Sequence, residues 1–234
     1  MAGSRFVGMA QNDCIRAWFN RHVPKTRWPA LLKIRSLCSG VASGKGGDLK
    51  RFLHEAKIPK DKWQALLASG SLSSAVAKGK GGDLMRFLES AQIPKTKRPS
   101  LLGCDSLCSA VANGKGGELM RFLDEAQIPQ DKRPSLLASG SLCSAVANGK
   151  GGDLIRFLEE AQIPQDEWPI ILMKSSFCSA IRRGKGHGLL VWLEQNRVPR
   201  EKWHFVLKNN SLFSAIVHGE PVDLARFGGS GEYR

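Results

Sequence analysis

The chain has 234 residues, is 42% hydrophobic, and carries 35 Lys+Arg against 21 Asp+Glu, a net charge of +14. No apolar run approaches the roughly 18 residues of a membrane span, and the start, Met1 to Phe6, lacks the apolar stretch of a secretory signal. A soluble, intracellular protein without a membrane partner is expected. The cationic surplus predicts a polyanionic partner. The six scattered cysteines, Cys14, Cys38, Cys104, Cys108, Cys143 and Cys178, form no dense disulfide pattern and read as free thiols in a reducing compartment.

The sequence repeats itself. Gly-Lys-Gly begins at Gly44, Gly79, Gly114, Gly149 and Gly184, a step of 35 residues, and decays to Gly-Glu-Pro at Gly219. Pro24, Pro59, Pro94, Pro129, Pro164 and Pro199 keep the same step, as do Ser36-Leu37, Ser71-Leu72, Ser106-Leu107, Ser141-Leu142, Ser176-Phe177 and Ser211-Leu212. Residues 1–35 keep Pro24 and Trp28 without the glycine string and read as a basic cap. Five repeats follow, 36–70, 71–105, 106–140, 141–175 and 176–210, and 211–234 is a truncated unit with a glycine-rich tail. Degenerate ends suit a stack whose terminal units must present a polar outer face.

Within the repeat 106–140, Ser106 is expected to cap a short helix through Ala112, with Leu107, Ala110 and Val111 on one face. Gly114 to Gly117 break it. A second helix runs from about Glu118 to Gln127, with Leu119, Phe122, Leu123 and Ala126 at i, i+3, i+4, i+7. Pro129 ends it, and a third short helix spans Pro134 to Ala138. No stretch alternates with period two. One such repeat cannot bury its apolar face alone, so the prediction is an all-α, right-handed α-solenoid of 35-residue helix–loop–helix repeats, monomeric, in which equivalent positions form columns.

Two columns carry the functional reading. Lys45, Lys80, Lys115, Lys150 and Lys185 each sit in a glycine-rich loop just before a helix N-terminus. Free amides and a helix dipole there favour phosphate. The slot two residues earlier varies: Ser43, Lys78, Asn113, Asn148, Arg183 and His218. These polar types can read base edges. The expectation is a nucleic-acid-binding protein in which the lysines contact phosphates and the variable slot faces bases. Duplex DNA is preferred over RNA, because no aromatic column runs through every unit as a stacking platform. The charge is uneven, +6 for 1–35 and +5 for 176–210 but −2 for 141–175. A nucleus or another nucleic-acid compartment follows from this reading. The rival reading is a protein-interaction solenoid that binds a partner protein.

Three further columns read as structural. Arg51, Arg86, Arg121 and Arg156 follow Asp48, Asp83, Glu118 and Asp153 by three residues, the spacing of a surface ion pair. Trp28, Trp63, Trp168 and Trp203 share a slot with Arg98 and Arg133 and are expected at the seam between repeats. The Cys38, Cys108, Cys143, Cys178 column, interrupted by Ser73 and Phe213, reads as a small buried position. The segment Gly40 to Gly46 is one residue too short for a phosphate-binding P-loop. His22, His54, His187, His204 and His218 share no column, and no nucleophile–base set stands out. No enzyme activity, metal or cofactor is expected.

Val111-Ala112-Asn113-Gly114-Lys115-Gly116-Gly117, followed by a helix and Pro129, resembles the repeats of transcription-activator-like effectors. Those repeats carry a base-specifying loop, then Gly-Gly, then a second helix containing a proline. In them the variable pair directly precedes Gly-Gly, whereas here that pair is Gly-Lys and the variation lies one place earlier. The 35-residue length and the second helix are also similar to pentatricopeptide repeats, which bind single-stranded RNA. Both resemblances imply a modular helical nucleic-acid-binding protein.

Overall fold

The computed structural model describes residues 3–209 and Phe213, with side chains from Asp13 onward. Among them the fold is all-α, with seventeen α-helices and no strand. The chain divides between Gly116 and Gly117 into two compact units.

In the first unit, α1 (Gly3–His22) and the single turn α2 (Trp28–Leu31) precede α3 (Arg35–Ala42), α4 (Gly46–Glu55) and α5 (Lys60–Leu67). Then come α6 (Gly70–Ala77), α7 (Gly81–Ser90), α8 (Arg98–Leu102) and α9 (Asp105–Ala112). α1, α3, α6 and α9 lie side by side. The second helices α4 and α7 pack on the first helix of the following repeat. The long single helix α1 thus takes the place of the first two helices of a repeat and lies against α3.

In the second unit, α10 (Gly116–Glu125) and α11 (Arg133–Leu137) precede α12 (Gly140–Ala147), α13 (Gly151–Glu160) and α14 (Trp168–Leu172). α15 (Ser175–Arg182), α16 (Gly186–Gln195) and α17 (Trp203–Lys208) follow. α12 lies beside α15, α13 packs on α15, and α14 packs on α17. The core of each unit is the apolar face of these helices, such as Leu84, Phe87 and Leu88 in α7 and Leu154, Phe157 and Leu158 in α13, all buried.

Two short motifs terminate the helices of every repeat. At Gly44 φ is +81° and at its four counterparts +75° to +80°. The Gly44 N–H donates to the Val41 carbonyl and the Lys45 N–H to the Gly40 carbonyl, which closes the first helix. The second helix ends the same way, with Lys57, Gln92, Gln127, Gln162 and Arg197 at φ +49° to +54°. There the Gln127 N–H donates to Asp124 and the Ile128 N–H to Leu123. This left-handed residue stops α10 at Glu125, two residues before the expected end, and Pro129 opens the third segment instead of ending the second. Its carbonyl accepts from the Lys132 and Arg133 N–H groups.

The expected caps shift likewise. Ser106 is the second residue of α9, and Cys104 is its N-cap. Two serines of the Cys104 slot do cap: Ser69 Oγ accepts from the Leu72 N–H at 3.2 Å, and Ser139 Oγ from the Leu142 N–H at 3.5 Å. The third helix leaves the chain extended at that residue, so the helix starts before the Ser-Leu landmark. α10 likewise begins at Gly116, not Glu118, because of the four loop residues 114–117 only Gly114 has a positive φ.

Gly81 has a packing reason. A Cβ there would lie 3.2 Å from Phe52 of the preceding repeat, and Gly151 stands in the same relation to Phe122. At the start of the row Trp18 of α1 takes the phenylalanine's part, since a Cβ on Gly46 would meet its indole at 2.5 Å. Among the described residues no helix is long and apolar enough to cross a membrane.

Candidate nucleic-acid interface

The loop that joins the first and second helices carries both predicted columns on one turn. Lys45, Lys80, Lys150 and Lys185 are the N-cap residues of α4, α7, α13 and α16, and Lys115 directly precedes α10. Ser43, Lys78, Asn113, Asn148 and Arg183 are the C-cap residues of α3, α6, α9, α12 and α15, and all five are exposed. One left-handed glycine separates the two positions in each loop. His218 lies outside the described residues.

The acidic residue three places on draws on the lysine. Lys45 Nζ lies 3.6 Å from Asp48, Lys80 Nζ 3.4 Å from Asp83, and Lys150 Nζ 3.0 Å from Asp153. The arginine column meets the same carboxylates: Arg51 Nη2 is 2.8 Å from Asp48 and Arg156 Nη2 2.7 Å from Asp153, while Arg86 pairs with Asp83. The Arg86 hydrogen bond, and then that of Lys80, hold the Asp83 carboxyl below its ordinary range. These first-turn carboxylates therefore stand where a phosphate would sit on the helix dipole. α16 differs, with no acidic residue in its first turn after Lys185.

Some variable side chains turn back on their own helix. Ser43 Oγ donates to the Gly40 carbonyl at 2.9 Å, Asn148 Nδ2 to the Ser144 carbonyl at 2.6 Å, and Asn113 Nδ2 to Ser109 Oγ at 3.4 Å.

Clefts lie behind the loops. In the first unit one of about 130 Å³ is lined by Arg51, Phe52 and Glu55 together with Gly79 and Gly82 of the next loop. In the second unit the equivalent cleft reaches about 360 Å³, and His187 lines it in the slot of Gly82.

Sequence reasoning missed a cationic contact in the first unit. Lys57, the left-handed residue of its repeat, stands close to Lys95 of the next repeat, like charge beside like charge. That contact, with Arg98 nearby, lowers the pKa of Lys95. The signal was in the sequence, since the slot of Lys57 otherwise holds glutamine or arginine.

The remaining columns are structural. Trp28, Trp63, Trp168 and Trp203 donate through Nε1 to the carbonyl five residues earlier, at 2.8–3.0 Å. Arg98 and Arg133 do the same through Nε. With Trp168 and Trp203 buried, no base can stack on them. The thiols of Cys108, Cys143 and Cys178 donate to the carbonyls of Leu102, Leu137 and Leu172 at 3.3, 3.2 and 3.1 Å. Burial pushes Cys108 and Cys178 up to about 12. Among the described residues no group of His, Cys, Asp or Glu could hold a metal ion.

No known protein family, curated protein or solved structure matches this chain.

Proposed function

We propose that this protein binds nucleic acid, duplex DNA in preference to RNA, through the loops between the first and second helices of its repeats. The observation that carries the reading is the loop itself. The same turn, with a glycine at φ +75° to +81°, recurs in five loops, and each presents a lysine two residues from an exposed polar side chain of varying type. A constant cationic contact beside a variable donor or acceptor suits a polymer with a constant backbone and varying bases.

The paired aspartates shape this reading. A lysine that shares its charge with a carboxylate contributes less to a phosphate contact, so the affinity draws on the basic cap, on Lys57 and Lys95, and on Lys185, beside which no first-turn acid stands. The chain's net charge of +14 supplies the long-range attraction.

The test is fluorescence anisotropy with labelled random duplex DNA and single-stranded RNA, titrated with salt. Binding should weaken steeply with salt. Changing Lys45, Lys80, Lys115, Lys150 and Lys185 together to alanine should weaken binding and flatten the salt slope. Absence of binding to either polymer at low salt refutes the function, and an unchanged slope in the variant removes the loops from it.

A further inference from the structure

Among the described residues four large apolar side chains are strongly exposed: Leu32, Ile170, Met173 and Phe205. Three of them gather on the third helices of the second unit. Ile170 and Phe205 occupy the same repeat slot, with 40% and 60% of their surface exposed. Met173 follows Ile170 by three residues and so shares its face of α14. Its counterpart in the next repeat is Lys208. α14 and α17 pack together, which sets Ile170 and Met173 on one helix beside Phe205 and Lys208 on its neighbour. The earlier repeats hold small residues in these slots: Ala65, Ser100 and Ser135 in one, Ala68, Gly103 and Ala138 in the other. The large residues are thus not required by the repeat, and exposing them costs solubility unless something covers them.

The border of the patch carries one lysine outside any ion pair, Lys174, beside an ion-paired Lys208. Lys208 Nζ stands 5.4 Å from the Phe205 ring centre and 2.6 Å from Glu167 Oε2, so the two charges offset each other and Lys208 covers the ring edge as part of an ion pair. Lys174 directly follows Met173, and the His204 ring lies 3.9 Å from that of Phe205. A second copy of this chain would bring the same patch, with Lys174 at its border, onto the patch of another equally cationic chain. On a chain of net charge +14 that pairing is unfavourable.

We propose that the exposed face of α14 and α17 docks an acidic amphipathic helix of a partner protein. Apolar side chains one turn apart would cover Ile170, Met173 and Phe205, and a flanking carboxylate would meet Lys174. None of these residues belongs to the loops, so the surface stands whether or not the chain binds nucleic acid.

The probe is a labelled peptide of about five helical turns with leucine on one face and glutamate on the other, titrated with the full chain by anisotropy. Its lysine-for-glutamate counterpart is the control. Phe205→Ser and Ile170→Ser take the residue of the earlier repeats and should leave the thermal melt unchanged. They should weaken the acidic peptide by about tenfold or more. Lys174→Glu should weaken it at low salt and leave binding unchanged at high salt. Equal binding of both peptides, or acidic-peptide binding indifferent to Phe205→Ser, overturns the proposal. So does a dimer in sedimentation that Phe205→Ser abolishes, which would assign the patch to a second copy.

Discussion

Arg133 Nε donates to the Ile128 carbonyl at 3.1 Å, the bond that Trp168 makes to Ile163 one repeat later at 2.9 Å. A guanidinium and an indole share little chemistry, yet each places a planar N–H at the same reach from the backbone. The carbonyl belongs to the residue just past the left-handed turn and would otherwise lack a donor. Arg133 gains a second bond, Nη2 to Asp124 at 2.7 Å. Arg133→Trp should therefore fold with near-unchanged stability. Arg133→Met removes the donor from a partly buried carbonyl and should cost about 1–3 kcal/mol, read from chemical denaturation midpoints. Equal stability of the two variants would remove the shared bond as the reason for the column.

The cysteine column makes a parallel prediction about reactivity. Ser73 Oγ reaches the Leu67 carbonyl at 3.5 Å, as Cys143 reaches Leu137. Cys143→Ser should be tolerated, whereas Cys143→Val leaves the carbonyl without its donor. The buried thiols Cys108 and Cys178, with pKa values near 12, stay protonated at neutral pH. A thiol reagent at pH 8 should label exposed Cys14 first and reach Cys108 and Cys178 only on unfolding. Rapid labelling of all six in the native protein would contradict this burial.

The second helix of each repeat ends on a residue other than glycine in a left-handed conformation. Gln127, at φ +49°, holds the place that Gly114 holds at the end of the first helix. Gln127→Gly should stabilise the protein by about 0.5–1 kcal/mol, the relief of left-handed strain less the entropy of a freer unfolded chain. Gly114→Ala should cost about 1 kcal/mol or more. Additive gains from glycine at Gln92, Gln127 and Gln162 in denaturation midpoints would establish the repeat-wide strain. No gain at any site would refute it.

The all-α fold was legible because Leu119, Phe122, Leu123 and Ala126 keep helical spacing and three landmarks keep one period. The helix ends were not. Gln127 carries no glycine-like signal, so the stop at Glu125 could not be read, and the capping slot Ser69/Cys104/Ser139 changes residue from repeat to repeat. The Gly-Lys-Gly-Gly string was read as one breaker. It holds three different demands, a positive φ at Gly114, close approach of Phe87 at Gly116, and open space at Gly117. The Lys45–Asp48 pairing was foreseeable from spacing alone, but whether the carboxylate sits on the lysine or on the arginine depends on rotamers, and it reaches both.

His22 offers a reporter for the basic cap. Burial, then the charges of Lys50 and Arg21, holds its pKa below the ordinary 6.5. A depressed folded pKa means the folded state resists protonation. The stability His22 contributes is thus present above its unfolded pKa and lost as pH falls through the folded value. A polyanion on the cap would offset the lysine and arginine charges and favour the imidazolium. In NMR, duplex DNA should raise the His22 titration midpoint, and binding near that midpoint should take up protons. Lys50→Gln should raise the midpoint without DNA and shrink the shift that DNA produces. Tight DNA binding with a stationary His22 midpoint would move the contact from the cap to the repeat loops, where Lys185 is the first residue to change.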